Sequence, residues 1–400
     1  MPHRRRPARL HLLLVSVLLA ITAPTARAQG VGRVLDIDGS AISSAMGGAS
    51  AAVFWSAEPN YWANPALLGY YRGVRYQYAR SRLVPGIAED VLLTSHRITL
   101  TAYGLGLELA GRPLESLGGT KLEYGVRTNV DEGGTELGPF ESREDVKTWG
   151  VGLSLSELLR SVAPGSPASD FARYFDIAGG YAQKAVDIRL APTSLQGRAS
   201  ATGRDLGLLV RGGIDAFVPF NGTRLPFRLD ASLGGSVLNY NHDAFVFVNE
   251  DQASRPSRMT RLGGAGRFAI GPPAARSGSA RTPLVTALLR GFDPLFSIGL
   301  AYDDERVDAG SWRADGYHVR HVGGEVAILN VLAVRYGHVT DRLGEIDGST
   351  WGLGIGLPVA DVAGLRYDYG RYPQATRLPQ VTLHSASVFV DPIALLRLMK

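Results

Sequence analysis

Apolar and polar residues alternate along most of this chain. In the stretch 227–237, Leu229 and Leu233 have one parity, and Asp230 and Ser232 have the other. A two-residue period is typical of a β-strand with one apolar and one polar face. The pattern therefore predicts an all-β fold of about 14 or 15 strands. The alternating segments are 73–82, 93–102, 104–110, 121–130, 147–156, 174–188, 204–218, 226–241, 259–269, 294–305, 317–328, 331–340, 349–358, 362–371 and 380–390.

The alternation alone does not say which face of the sheet meets water. In a soluble β-sandwich the apolar face points inward, whereas in an outer-membrane barrel it points outward to lipid. The polar face is rich in small residues and opposite charges, as in a crowded lumen, and aromatic residues near strand ends fit interfacial girdles. We expect a transmembrane antiparallel β-barrel of about 14 strands, with a soluble exported all-β protein as the alternative. The aromatic residues are Tyr240, Tyr302, Tyr336, Trp351, Tyr369 and Tyr372.

The start of the chain has the three parts of an export signal. A basic stretch at residues 4–9 precedes an apolar run at residues 12–21, and Ala26-Arg27-Ala28 is a small-x-small cleavage site. This order is typical of a secretory signal peptide. We therefore expect residues 1–28 to be removed on export to the cell outer membrane.

Composition narrows the function further. The chain has 0 cysteines, so no disulfide can support the fold. Its net charge is +5, and much of that charge lies in the basic stretch at residues 4–9, so the sequence does not indicate nucleic-acid binding. The 49 glycines follow no fixed period. Their scatter through strand-like segments requires a structural explanation.

The sequence contains no motif that indicates catalysis. It has no Gly-x-Ser-x-Gly, Walker or His-Glu-x-x-His pattern. His318 and His321 are three residues apart on a predicted strand and so face opposite sides. The acidic triplet 303–305 is interpreted as a solvated turn at a strand end. We expect no enzyme activity, no cofactor and no metal site.

Charged residues on the predicted inward faces are the remaining candidates for function. They allow two interpretations: a salt-bridge network that holds a segment in the lumen, or a polar lining that a ligand or a moving segment must cross. These residues are Asp205, Arg211, Asp215, Arg228, Asp230, Glu325, Arg335 and Asp368.

Two short stretches near the mature N-terminus resemble a known family. Residues 44–52 read Ser-Ala-Met-Gly-Gly-Ala-Ser-Ala-Ala, and residues 61–68 read Tyr-Trp-Ala-Asn-Pro-Ala-Leu-Leu. Together they resemble the N-terminal signature of FadL-like outer-membrane barrels, in particular the PorV/PorQ branch. The chain departs from that signature in the inserted Ala63, in Leu67 where glycine is usual, and in the displaced acidic residue Glu58.

The resemblance implies a luminal hatch. Residues 29–70 would fold inside a 14-stranded barrel formed by residues 71–400, although a first strand and turn is an alternative reading of the same stretch. Gly47 and Gly48 would let the backbone approach the wall, and Asn64-Pro65 would begin a short helix. The implied ligand or hatch residues are Met46, Gly47, Gly48, Phe54, Trp55, Tyr61, Trp62, Asn64 and Pro65.

The resemblance also implies two functions. The first is uptake of a hydrophobic small molecule through a hatch-gated lumen, which would need an apolar pocket near Phe54, Trp55, Tyr61 and Trp62. The second is a type IX secretion-like barrel that binds exported cargo proteins through its outer loops. In both cases the wall would contact outer-membrane lipid.

Overall fold

The structure, a computed structural model, describes residues 32–110, 119–130, 133–191, 197–220, 223–241, 243–247, 253–271, 291–308, 316–360, 362–375 and 378–399. The expected signal peptide, residues 1–28, and residues 29–31 lie outside this part. The described elements are the 3-10 helices η1 (Arg33–Leu35) and η2 (Pro65–Tyr70), the α-helices α1 (Ala41–Ala45), α2 (Leu155–Val162), α3 (Pro167–Phe171) and α4 (Pro392–Met399), and the strands β1 (Gly73–Val84), β2 (Ala88–Ala102), β3 (Leu105–Ala110), β4 (Gly119–Val130), β5 (Glu136–Ser154), β6 (Phe175–Arg189), β7 (Arg198–Phe220), β8 (Thr223–Leu238), β9 (Arg258–Ile270), β10 (Phe296–Asp308), β11 (Tyr317–Ile328), β12 (Leu332–Asp341), β13 (Ile346–Val359), β14 (Ala363–Tyr372) and β15 (Val381–Val390).

The strands close into one antiparallel barrel. Strands that follow one another in the chain pair with each other from β5 to β15, and β1 pairs with both β15 and β2. Closure leaves no unpaired sheet edge, which every membrane-spanning sheet must avoid. No described helix is long and apolar enough to cross a membrane.

One position in the wall is shared by two strands. Residues 99–102 of β2 pair with β3, and residues 91–96 of β2 pair with β4. Both short strands pair with β5 on their other side. The described strands therefore fill 14 wall positions, as the alternation pattern predicts. Residues 111–118, which connect β3 to β4, lie outside the described part of the chain.

Burial along the strands is the reverse of that in a soluble protein. In β13, Leu353, Ile355 and Leu357 are 47%, 57% and 63% exposed, while Arg335 in the neighbouring β12 is 1% exposed. Charged residues face the interior and apolar residues face outward, which is stable only where the outside is lipid. The transmembrane barrel is therefore confirmed, and the soluble all-β alternative is wrong.

Aromatic side chains form a circle around the outside of the barrel, here called the ring, which marks one boundary of the apolar outer band. In each strand that contributes to it, the next outward-facing residue on one side is polar or charged, as Asp304 is next to Tyr302 and Ser349 is next to Trp351. The prediction that aromatics lie at strand ends was wrong for most of them, since the strands continue beyond the ring, and Tyr372 packs inward. We call the barrel end beyond the ring the polar end and the opposite end the apolar end. The ring consists of Tyr78, Trp149, Tyr181, Tyr302, Tyr336, Trp351 and Tyr369.

Candidate functional site

The N-terminal segment, which we define as residues 32–70, crosses the interior of the barrel. The Gly47 amide donates a hydrogen bond to Thr350 Oγ1 in β13 at 2.8 Å. Asn64 Nδ2 donates to the Leu208 carbonyl oxygen in β7 at 3.1 Å. Strands β7 and β13 lie on nearly opposite sides of the barrel. The N-terminal segment therefore contacts both sides of the lumen, and all residues from 40 to 54 are buried.

Two local sequence features shape this segment. The Asn64 side chain accepts a hydrogen bond from the Ala66 amide at 3.1 Å, and Pro65 is the first residue of η2. This agrees with the prediction that Asn64-Pro65 begins a short helix. Gly47 and Gly48 have φ values of 70° and 89°, a conformation that favours glycine.

A belt of glycines on the inner wall gives the N-terminal segment its room. At each belt position a methyl group would overlap an atom of the segment: at Gly180 the Pro65 carbonyl carbon, and at Gly323 the Met46 carbonyl oxygen. Backbone can approach backbone this closely only where no Cβ intervenes. The belt explains part of the high glycine content. Its members are Gly106, Gly152, Gly180, Gly207, Gly234, Gly323, Gly337, Gly352 and Gly370.

We expect Gly180→Ala to destabilise the protein by about 1–3 kcal/mol, the usual cost of overpacking a filled site. Gly179→Ala is a matched control, because the neighbouring Gly179 points outward and its nearest atom, the Gly207 carbonyl oxygen, is 4.0 Å from the added Cβ. Urea titration of the barrel in vesicles, followed by tryptophan fluorescence, measures both variants. Equal midpoints for the two variants would show that the belt does not constrain the N-terminal segment.

Three of the charged residues singled out in the sequence meet in one network. Arg335 Nε donates to Glu325 Oε2 at 2.6 Å, and Arg335 Nη1 donates to Asp368 Oδ1 at 2.8 Å. Arg366 also donates to both oxygens of Asp368. The Arg335 side chain has no exposed area. Register explains the meeting, since Glu325 lies directly opposite Arg335 in the ladder.

The other predicted charges lie in separate places. Arg228 binds Asp215 at 2.8 Å and Asp230 at 2.7 Å, and the Asp215 side chain is 40% exposed. Asp205 instead contacts Lys184, which the sequence analysis did not select, with 2.7 Å between Lys184 Nζ and Asp205 Oδ2. Lys184 has the inward parity in β6, so the alternation could have indicated it.

The acidic triplet 303–305 was interpreted wrongly. It lies inside β10, because the strand continues to residue 308. Asp303 Oδ2 accepts hydrogen bonds from the amides of Ser50 and Ala51 at 2.8 and 2.9 Å. Glu305 is buried as well and pairs with an inward arginine of β9. Asp303 therefore holds the N-terminal segment, and Glu305 belongs to the buried wall. Asp304 faces outward and pairs with His318.

The four expected ligand aromatics are split between two places. Phe54 and Trp55 form an edge-to-face pair with 5.3 Å between ring centroids, and both line a cavity at the apolar end. Tyr61 is 2% exposed and belongs to the same buried apolar cluster as Phe54, but it does not line that cavity. Trp62 is 5% exposed and packs in a different apolar cluster. Met46 packs in a further small cluster with residues 42, 49 and 53. The structure therefore does not bring the four aromatics into one pocket.

Trp62 is clamped between two cations. Its ring lies 4.9 Å from Arg97 Cζ and 4.0 Å from Lys184 Nζ. Next to it, Tyr61 Oη donates to Glu108 Oε1 at 2.8 Å. Cation–π contacts are strongest where water is excluded, as here. We call these five residues the Trp62 clamp, which joins the N-terminal segment to β2, β3 and β6.

Buried tyrosines of the segment stay protonated. Burial, and secondly the Glu108 carboxylate, raise the pKa of Tyr61 well above its usual range. Burial, and secondly Asp176, raise the pKa of Tyr70 in the same direction. Both hydroxyls can therefore donate hydrogen bonds to these carboxylates over the physiological pH range.

An apolar cluster fills the lumen towards the polar end. Val34 and Leu35 of η1, Trp62 and Phe245 pack there against the inner wall and are 0–5% exposed. The wall side of this apolar cluster consists of Leu93, Leu122, Val146, Val186, Ile188 and Ala199. The N-terminal segment therefore covers an apolar surface inside an otherwise polar lumen.

On the other side of the N-terminal segment lies a cavity of about 770 Å³, here called the vestibule. Its walls include turns of the apolar end, residues 102–104 and 358–360, and residue 394 of α4. Phe54, Trp55 and Tyr70 line it from the segment, and inward arginines line it from β7, β8 and β9. The vestibule is therefore of mixed character and is not the purely apolar pocket that hydrophobic uptake was expected to need. Among the described residues, no group of three or more His, Cys, Asp or Glu could hold a metal ion.

No protein-family model matches the chain. No curated protein matches it. Similar solved structures include the toluene transporter TbuX of Ralstonia pickettii, 12% identical, covering 88% of this chain and 98% of that one with a TM-score of 0.38. They also include a Pseudomonas aeruginosa FadL homologue (9% identity, 88% and 98% coverage, TM-score 0.34) and Escherichia coli outer membrane phospholipase A (12%, 89% and 99%, 0.30). Likeness at this level carries no argument about function.

Proposed function

We propose that the protein is an outer-membrane channel that passes hydrophobic small molecules through a lumen gated by an N-terminal hatch. In this proposal residues 1–28 are a cleaved signal peptide, residues 29–70 form the hatch, and residues 71–400 form the barrel. The protein acts by binding and passage, without catalysis and without a cofactor.

The apolar cluster carries this proposal. A lumen that passes only water-soluble molecules is expected to have a polar inner wall, not one of leucine, valine and isoleucine. Here that wall is covered by Val34 and Leu35 of the N-terminal segment. Withdrawal of η1 would free an apolar surface deep in the barrel, and a hydrophobic molecule could take the place of those two side chains.

The contacts that hold the N-terminal segment are compatible with movement. With 0 cysteines in the chain, no covalent bridge ties the segment to the wall. It is held by hydrogen bonds to wall side chains, such as Ser232 Oγ to the Ala52 carbonyl oxygen at 2.7 Å, and by the Trp62 clamp. Such contacts can break and re-form, which a gate requires.

Uptake by intact bacteria tests the channel. We expect bacteria that produce the protein to take up radiolabelled toluene several-fold faster than the same bacteria with an empty vector, because the outer leaflet otherwise slows hydrophobic molecules. Uptake of a small sugar serves as the control and should not change. Equal toluene uptake in the two strains would count against a hydrophobic route.

The cargo-binding alternative predicts a different result. Native mass spectrometry of the protein extracted in mild detergent would then find exported proteins bound and no hydrophobic small molecule. The channel proposal expects bound apolar molecules that are lost when the apolar cluster is disrupted by Leu122→Gln. Leu353→Gln, on the lipid face, is the matched control.

A further inference from the structure

Two arginines in the vestibule form no close ion pair with the described carboxylates. Arg211 in β7 and Arg267 in β9 both line it, and neither has an ion pair within 4.0 Å among the described residues. The Nε atom of each is buried and lacks a hydrogen-bond partner. An unpaired buried guanidinium is costly, so its retention in a cavity suggests an external partner.

The nearby carboxylates are already engaged. Asp176 lies opposite Arg211 in the ladder, but its oxygens accept hydrogen bonds from Tyr70 Oη, Ser154 Oγ and the Ser156 amide. Asp230 lies opposite Arg267 and accepts Arg228 Nε at 2.7 Å.

Other acids also line the vestibule. Glu157 is paired with Arg160, and the Asp391 carboxylate accepts the amides of Ile393 and Ala394 at the start of α4. Asp293 also lines the vestibule, and its negative charge acts on Arg267. Arg211 is therefore the arginine that is most available to a ligand.

Aromatic rings fix Arg211 and supply apolar area beside it. Arg211 Cζ lies 4.8 Å from the Phe54 ring centroid and 5.7 Å from that of Tyr70. Stacking of this kind holds a guanidinium in one orientation and leaves its edge free for a planar oxyanion. Trp55 lines the same cavity. The Arg211 guanidinium and an aromatic surface therefore lie side by side in the vestibule.

We propose that the vestibule binds an organic oxyanion, a carboxylate or phosphate attached to a compact apolar body, with Arg211 as the main anchor and Arg267 as a second contact. The volume of about 770 Å³ lies within the range of small-molecule sites. The oxyanion receives charge-assisted hydrogen bonds from Arg211, and the apolar body packs on Phe54 and Trp55. This site does not depend on the proposed passage of hydrophobic molecules.

Isothermal titration of the purified full-length barrel in an uncharged maltoside detergent tests the site with three probes. Benzoate has both the oxyanion and the apolar body, benzyl alcohol has only the apolar body, and inorganic phosphate has only the oxyanion. We expect benzoate to bind at least ten-fold more tightly than either of the others. Equal binding of benzyl alcohol would overturn the role of charge, and equal binding of phosphate would overturn the apolar half of the site.

Variants locate the binding. Arg211→Gln is expected to weaken benzoate binding at least ten-fold, while Arg320→Gln, which removes an exposed outward charge, leaves it unchanged. Arg211→Lys keeps the charge and tests whether the planar fork matters. Heat-dependent gel migration confirms that each variant is a folded barrel. Unchanged benzoate binding in a folded Arg211→Gln barrel would refute the proposal.

Discussion

Replacing Arg335 by methionine is expected to lower the free energy of unfolding by about 3–5 kcal/mol, the usual effect of removing one partner from a buried ionic network. Arg335 has no exposed side-chain area and bridges Glu325 and Asp368. Methionine keeps much of the volume but leaves Glu325 without its cation. Asp368 retains Arg366. The loss of stability therefore comes mainly from one buried carboxylate, that of Glu325, which no longer has a cation.

Two further variants identify the cause. Combining Arg335→Met with Glu325→Gln should recover at least half of the lost stability, because the neutral amide no longer needs a cation. Arg320→Met, on the exposed outer face, should stay within about 0.5 kcal/mol of the parent. Urea titration in vesicles measures all three. If the double variant is no more stable than Arg335→Met, the effect is one of packing rather than charge.

The alternation of residues predicted part of the charge that faces the lumen. It assigned Glu325, Arg335 and Asp368 to the interior, and the three meet there because adjacent strands bring equivalent parities together. It failed for the triplet 303–305, since the sequence does not say how far a strand extends beyond the membrane. The pattern also missed part of a strand between the predicted segments 121–130 and 147–156, because residues 136–146 belong to β5.

Contacts that depend on barrel closure could not be predicted. Gly180 and Gly323 lie at one level only because of the register and tilt of intervening strands. In the sequence the glycines are therefore scattered, and the belt is not visible. Likewise, nothing local links Trp62 to Lys184, which are far apart in the chain and meet across the lumen. The resemblance in residues 44–68 implies a segment inside the lumen but does not identify its partners in the wall.

The second large effect is expected at the Trp62 clamp. Trp62→Ala removes a ring that is 5% exposed, and deletions of this size in a packed interior cost about 3–5 kcal/mol. Arg97 and Lys184 also lose their shared ring. The hydrogen bonds between the strands of the barrel wall do not involve Trp62. We therefore expect Trp62→Ala to destabilise the attachment of the N-terminal segment, which should detach more often while the strands stay paired.

Hydrogen–deuterium exchange with mass spectrometry measures this directly. Amides of the segment that bind the wall, such as Gly47 and Ser50, should exchange about 100-fold faster or more in Trp62→Ala, because each 1.4 kcal/mol changes an opening constant ten-fold. Strand peptides should be unaffected. Trp149→Ala is the matched control, since Trp149 is 47% exposed on the lipid face. Faster exchange confined to the segment, together with faster toluene uptake, would tie the clamp to the gate. Faster exchange without a change in uptake would leave the clamp as a structural contact and remove it from the gating mechanism.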